Sequence, residues 1–207
     1  RFSMREGRFT IRSAKAGTTL MDDGNFRPDS APTPALLLVS DSELETVRIG
    51  SAIGQALRSG DTVLLSGELG AGKTRLVHGM AEGIESTITA RSPTFVIVNE
   101  YPGRIRLSHC DLYRIGSVDE VEELALDERL ADGALVVEWP EVGAGALTQD
   151  ALYMKLVNGE HEDQRLITFT PTGPRSAGLL SRSAAVFEAV DAAVGLSFQL
   201  ESEGSSG

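Results

Sequence analysis

Eight consecutive residues, Gly67-Glu68-Leu69-Gly70-Ala71-Gly72-Lys73-Thr74, have the types and spacing needed to hold a polyphosphate. Small residues let successive backbone N–H groups turn inward around phosphate oxygens, and a helix starting behind them adds a favourable dipole. In such a loop Lys73 reaches the β- and γ-phosphates, and the Thr74 hydroxyl ligates Mg²⁺. A glycine-rich turn that merely joins a strand to a helix has no need of Gly70 and Gly72 together with Lys73-Thr74.

A phosphate loop works with a carboxylate at the end of a neighbouring strand, and Val136-Val137-Glu138 offers one. An ordinary exposed glutamate is the alternative for Glu138. Asp111 follows an apolar run ending at Cys110 and suits a group that orients water or reaches a metal through water; alone it reads equally well as a helix N-cap. Arg91-Ser92-Pro93-Thr94-Phe95 has the hydroxyls of a loop that senses a γ-phosphate, though such a segment is also an ordinary turn. His109 reads as a packed or solvated ring, and Cys110 as a small core residue. Trp139 suits core packing or a partner contact.

The elements that must position these residues follow from periodicity. Thr62–Ser66 is a continuous apolar run leading into the loop, as expected of a strand buried on both faces of a parallel sheet. Behind the loop, Lys73–Gly83 reads as a helix with Leu76, Val77 and Met80 on its apolar stripe. Ahead of it, residues 35–39 suit a strand and Glu43–Leu57 a helix, with N-cap residues at Ser40-Asp41-Ser42. Phe95–Tyr101, residues 105–110 and residues 134–138 read as further strands, and residues 118–130 as an acidic amphipathic helix. Residues 153–157 and 165–170 form a hairpin with Asn158-Gly159 in its turn, and residues 184–194 a closing helix. This alternation predicts an α/β fold of P-loop NTPase type, a three-layer sandwich with a mainly parallel central sheet.

The chain has 207 residues, enough for one full core with small appendages. Residues 1–34 read as a flexible extension, 35–174 as the P-loop domain, and 175–207 as a helix and flexible tail. The basic stretch Arg1 to Lys15 reads as part of that extension rather than a targeting signal. A net charge of -11 disfavours direct binding to nucleic acid or anionic membranes. A single cysteine excludes an internal disulfide and a cysteine-based zinc site, and points to a reducing, cytoplasmic setting. No apolar run approaches the ~20 residues of a membrane span.

Four segments in order, Gly67 to Thr74, Ser92-Pro93-Thr94-Phe95, Asp111-Leu112-Tyr113-Arg114 and Glu138-Trp139-Pro140-Glu141, resemble the bacterial TsaE family, also called YjeE. The resemblance covers roughly residues 36–170. It implies an ATPase needed to make threonylcarbamoyladenosine beside the anticodon of tRNA, acting with TsaB and the transferase TsaD and meeting tRNA only through that complex. It assigns Gly70, Ala71, Gly72, Lys73, Thr74 and Arg75 to the phosphates of ATP or ADP, and Thr74 and Glu138 to Mg²⁺. Asp111 takes an essential catalytic position, with Lys73 and Thr94 beside it in the catalytic set; Thr94 belongs to a switch-like loop. Thr46 matches a threonine near the nucleotide, and Arg165 is the expected basic residue of the late hairpin. His161-Glu162-Asp163-Gln164, the extension before residue 35 and the tail after about Pro174 depart from the family pattern.

Two other activities share a phosphate loop. A small-molecule or nucleoside kinase needs an acceptor pocket and usually an arginine-bearing lid, and no arginine-rich lid segment is apparent. A nucleotide-dependent binding module would use the acidic helix and Trp139 for docking.

Overall fold

The computed structural model describes residues 35–93, 97–143 and 148–194, with the two-residue strands Thr10–Ile11, Met21–Asp22, Asn25–Phe26 and Gln199–Leu200. Seven strands form the central sheet: β1 (Leu36–Ser40), β2 (Thr62–Ser66), β3 (Val98–Tyr101), β4 (Arg106–Asp111), β5 (Gly133–Glu138), β6 (Leu152–Asn158) and β7 (Arg165–Pro171). Their order across the sheet is β1-β7-β6-β2-β5-β4-β3. The centre, β6-β2-β5-β4, is parallel throughout; β7 pairs antiparallel with both β1 and β6, and β3 antiparallel with β4. The sheet is thus mostly parallel and flanked by helices, the α/β P-loop architecture.

β2 shows why. Its five residues are all buried, and they alternate between two cores: Val63 and Leu65 face one layer, Leu64 the other. The first layer holds α1 (Glu43–Ala56), α2 (Lys73–Gly83) and α4 (Pro174–Val194), the second α3 (Val118–Glu122) and a 3₁₀ turn at Glu128–Leu130. Ser42 caps α1, its hydroxyl accepting the Glu45 N–H at 3.2 Å, and Glu45 accepts the Asp41 N–H in return. That reciprocal cap fixes where β1 ends and α1 begins.

Helices α1 and α2 approach along four glycines, Gly50 and Gly54 on one and Gly79 and Gly83 on the other. A Cβ on Gly79 would lie 2.9 Å from the Gly50 Cα and closer still to the Val47 carbonyl oxygen. No side chain fits between the backbones, so the stripe sets the interhelical distance.

Two sequence expectations change. The acidic helix over 118–130 stops at Glu122, because Ala125 takes φ 46° and so swings Leu126 into the second core. The closing helix starts ten residues before the expected Ala184, at Pro174. Its cap is not local: the Asp150 carboxylate accepts the Arg175 and Ser176 N–H groups, each at 2.8 Å. A cap supplied by a residue far back in the chain leaves no sequence signature. Leu179 and Phe187 then pack into the first core. The expected strand start at Phe95 and the tail after residue 200 lie outside the described residues, as does the linker before Pro34 apart from the antiparallel pair Met21–Asp22 and Asn25–Phe26.

Gly79→Ala should lower unfolding stability by about 1–3 kcal/mol, the cost of overpacking. Gly178→Ala in α4, where a Cβ meets only the flexible Arg182 guanidinium at 3.3 Å, should be neutral or gain up to about 1 kcal/mol. Urea denaturation of the two variants reads the difference.

Burial alone would raise the Asp150 carboxyl, but the hydrogen bonds from Ser176 and Arg175 outweigh it and hold its pKa below the usual value. A carboxyl depressed in the fold contributes stability above its unfolded pKa, lost as pH falls through the lower folded value. Asp150→Asn should therefore flatten the acid limb of a stability-versus-pH curve below about pH 5, and cost about 1 kcal/mol at pH 7 as a weakened cap.

Candidate functional site

The parallel registers bring the carboxyl ends of β2, β5 and β4 together. Leu65 pairs with Glu138, and Glu138 with Asp111, so the phosphate-type loop after β2 sits beside two carboxylates on consecutive strands. Gly72 ends the loop at φ 98°, the left-handed region that favours glycine, and is the N-cap of α2. The free N–H groups of the first turn of α2 thus open onto the loop.

Lys73 folds back over this loop. Its Nζ donates to the carbonyls of Gly67 at 2.6 Å and Glu68 at 2.9 Å, and lies 3.9 Å from the centroid of Trp139. Burial pulls the ammonium below its ordinary pKa, against the opposing charges of Glu138, Asp111 and Glu141. A buried ammonium whose hydrogen bonds go to carbonyls has donors to give an incoming anion.

Thr74 Oγ1 donates to Glu138 Oε1 at 3.1 Å. These two oxygens are hard donors at the helix start, and one or two protein oxygens are what Mg²⁺ accepts when phosphates and water complete its shell. The donor set therefore fits that ion. Glu138 is 3 % exposed, which removes the alternative of an ordinary surface glutamate.

Asp111 closes β4, half-buried, and its Oδ1 accepts the Tyr113 N–H at 3.0 Å. It caps no helix; Ser117 is the N-cap of α3. The N-cap alternative is replaced by a local turn that holds the carboxylate at the strand end. Cys110, beside it, is fully buried, and burial, then the Asp111 charge, push its thiol up to about 12. It is a core residue.

A cleft of about 220 Å³ on the α1 side is lined by Glu43, Thr46, Gly70, Gly72, Arg75, Asp163 and Arg165. Arg165 spans the loop and the hairpin, donating from Nε to the Ala71 carbonyl at 3.0 Å and from Nη1 to the Glu162 carbonyl at 2.6 Å. Arg75 is exposed and ion-paired with Glu43. Thr46 is buried: its hydroxyl bonds Ser40 Oγ at 2.8 Å and the Ser42 carbonyl at 3.3 Å, while its methyl lies toward Gly72. Thr46 thus offers the cleft a methyl wall rather than a hydroxyl. Thr94 lies outside the described residues.

Sequence reasoning passed over Tyr101 and Ser66 here, and read His109 as a packed or solvated ring without a partner. His109 Nε2 bonds Glu138 Oε1 at 2.9 Å with both side chains buried. Tyr101 lies next to His109, and Ser66 donates to Glu141. Trp139 takes φ 59°, its ring 4.9 Å from that of Tyr113, and it packs half-buried against the second core while walling the site, in line with the core-packing reading. Strand alternation, which puts His109 on the face of Asp111, was the signal available for the histidine.

Comparison with known proteins agrees with this arrangement. The family model described as "Threonylcarbamoyl adenosine biosynthesis protein TsaE" matches residues 40–167. A Streptomyces coelicolor protein named tRNA threonylcarbamoyladenosine biosynthesis protein TsaE is 42% identical over 136 residues, 62% of this chain and 92% of that protein. One of the same name from Bacillus subtilis is 40% identical over 133 residues, 63% of this chain and 82% of that protein. The crystal structure of Bacillus subtilis YdiB superposes with a TM-score of 0.61 at 30% identity, covering 72% of this chain and 94% of that one. The matched residues 40–167 run from the end of β1 to the middle of β7 and contain the phosphate-type loop, both strand-end carboxylates and Arg165, and on that ground the chain belongs to the TsaE family.

Proposed function

We propose that this chain hydrolyses ATP in a Mg²⁺-dependent reaction that supports formation of threonylcarbamoyladenosine in tRNA, acting in the cytoplasm on a TsaB–TsaD complex. The observation that supports it most is the meeting of Lys73 and Thr74 with Glu138 and Asp111 at the ends of adjacent parallel strands. Hydrolysis of a phosphoanhydride needs positioning and charge neutralisation more than covalent catalysis, and these groups provide both.

Thr74 and Glu138 would hold Mg²⁺, which when bound neutralises charge on the phosphates. Lys73 exchanges its bonds to the Gly67 and Glu68 carbonyls for phosphate oxygens. The cleft between Thr46, Arg75 and Arg165 takes the rest of ATP, or of ADP after turnover. Asp111 orients the attacking water, and Thr94 completes the catalytic set from its switch-like loop. The net charge of -11 suits a protein that serves the modification through protein partners and meets tRNA only in their complex.

Release of inorganic phosphate from ATP, with and without TsaB and TsaD, tests the reading. Lys73→Ala should abolish nucleotide binding or turnover in a folded protein. Phosphate found on an added acceptor instead would make the chain a kinase.

Asp111→Asn keeps the size of the side chain and its turn bond, so ATP should still bind while hydrolysis falls by about 100-fold or more. Glu138→Ala should depress Mg²⁺-dependent turnover more than ATP affinity. Parental turnover in a folded Asp111→Asn protein would remove Asp111 from the mechanism.

A further inference from the structure

His109 and Tyr101 are buried polar side chains that the proposed mechanism leaves unused, and burying an imidazole or a phenol is unfavourable unless its polar atoms are bonded. Both are bonded, in one continuous line. Glu138 Oε1 receives His109 Nε2 at 2.9 Å as well as Thr74 Oγ1 at 3.1 Å. With its N–H at Nε2 turned to that carboxylate oxygen, the neutral ring has a lone pair at Nδ1. Nδ1 faces the Tyr101 hydroxyl at 3.5 Å. That hydroxyl accepts the Arg91 N–H at 3.2 Å and has a single proton to give, to Nδ1 or to the Arg91 carbonyl at 3.1 Å; given to Nδ1, it joins the ring to the backbone of residue 91.

The line crosses three strands, from the end of β5 through β4 to the end of β3. All three residues are at most 3 % exposed. Its two ends are the carboxylate that Thr74 touches and the backbone at the entrance to Ser92-Pro93-Thr94. An apolar residue at 109 would fill the same space and leave Glu138 with one donor fewer.

We infer that His109 and Tyr101 are positioning residues: they form a buried strut that fixes the Glu138 carboxylate and ties it to the backbone of residue 91, ahead of the Ser92-Pro93-Thr94 loop. The metal-facing half of this inference rests on the function proposed above; the half at residue 91 does not. His109 sets the rotamer of Glu138, so its loss is felt in metal affinity before nucleotide affinity. Tyr101 fixes the loop entrance without touching Glu138.

The test uses full-length wild type, His109→Leu, His109→Gln and Tyr101→Phe, with ADP and Mn²⁺ as probes. ADP affinity is measured in chelator, Mn²⁺ affinity at saturating ADP from the paramagnetic signal of the free ion, and amide exchange at residue 91 in protein without ligands. His109→Leu should weaken Mn²⁺ binding about 10- to 100-fold. Its metal-free ADP affinity should stay within about threefold of wild type, and His109→Gln, which restores a donor toward Glu138, should recover most of the Mn²⁺ loss. Tyr101→Phe should speed exchange of the Arg91 amide about tenfold, the loss of roughly one hydrogen bond's protection.

Wild-type Mn²⁺ affinity in His109→Leu, or a loss that His109→Gln does not recover, overturns the role at Glu138. Unchanged exchange at residue 91 in Tyr101→Phe overturns the tie to the loop, and that variant keeps its ring and packing if His109→Leu does not fold. Wild-type protein that binds no ADP overturns the nucleotide reading itself, and the exchange measurement, which needs no ligand, still decides the strut.

Discussion

Where α1 and α2 touch along Gly50, Gly54, Gly79 and Gly83, the two backbones come as near as carbonyl and Cα atoms allow, and the site inherits its dimensions from that contact. α2 begins with Lys73-Thr74, and α1 carries Glu43 and Thr46 on its first turns. One helix supplies the floor of the cleft and the other its wall. A wider separation would move the Thr46 methyl away from Gly72 and part Arg75 from Glu43. Packing of this kind is bistable rather than elastic, because closely packed interiors do not deform by small amounts without losing contact.

The second constraint is register. Parallel pairing of β2, β5 and β4 brings Ser66, Glu138 and Asp111 to one edge, although 72 residues of sequence separate Ser66 from Glu138. Short, buried strands make that register hard to shift, since a slip by one residue would exchange the contents of the two cores. The chemistry is therefore placed by the sheet, and the helices and loops supply reach and donors.

Much of this was legible in the residues. The apolar run of β2, the glycines and Lys73-Thr74 announce a strand, a loop and a helix in one unbroken stretch, and the structure has them there. The carboxylate ending β5 was equally plain. What escaped depends on partners distant in sequence: the start of α4, set by Asp150; the break at Ala125, which sends Leu126 inward; and His109, whose meaning lies in Glu138, two strand ends away in sequence and 2.9 Å away in space. The glycine stripe was hidden too, because glycines within helices read as weak points until the opposing helix is seen to carry its own.

At the amino end of β2 the buried Asp61 carboxylate accepts Arg182 Nη2 of α4 at 2.7 Å and the Arg58 N–H at 2.8 Å. The phosphate-type loop leaves the other end of the same strand, about 17 Å away at ~3.3 Å per residue. The molecule therefore has an anchored pole and a working pole joined by a rigid rod of five residues. Substitutions that tighten the anchored pole act a strand's length from the phosphate-type loop, so thermal robustness can be raised there without touching a residue of that loop.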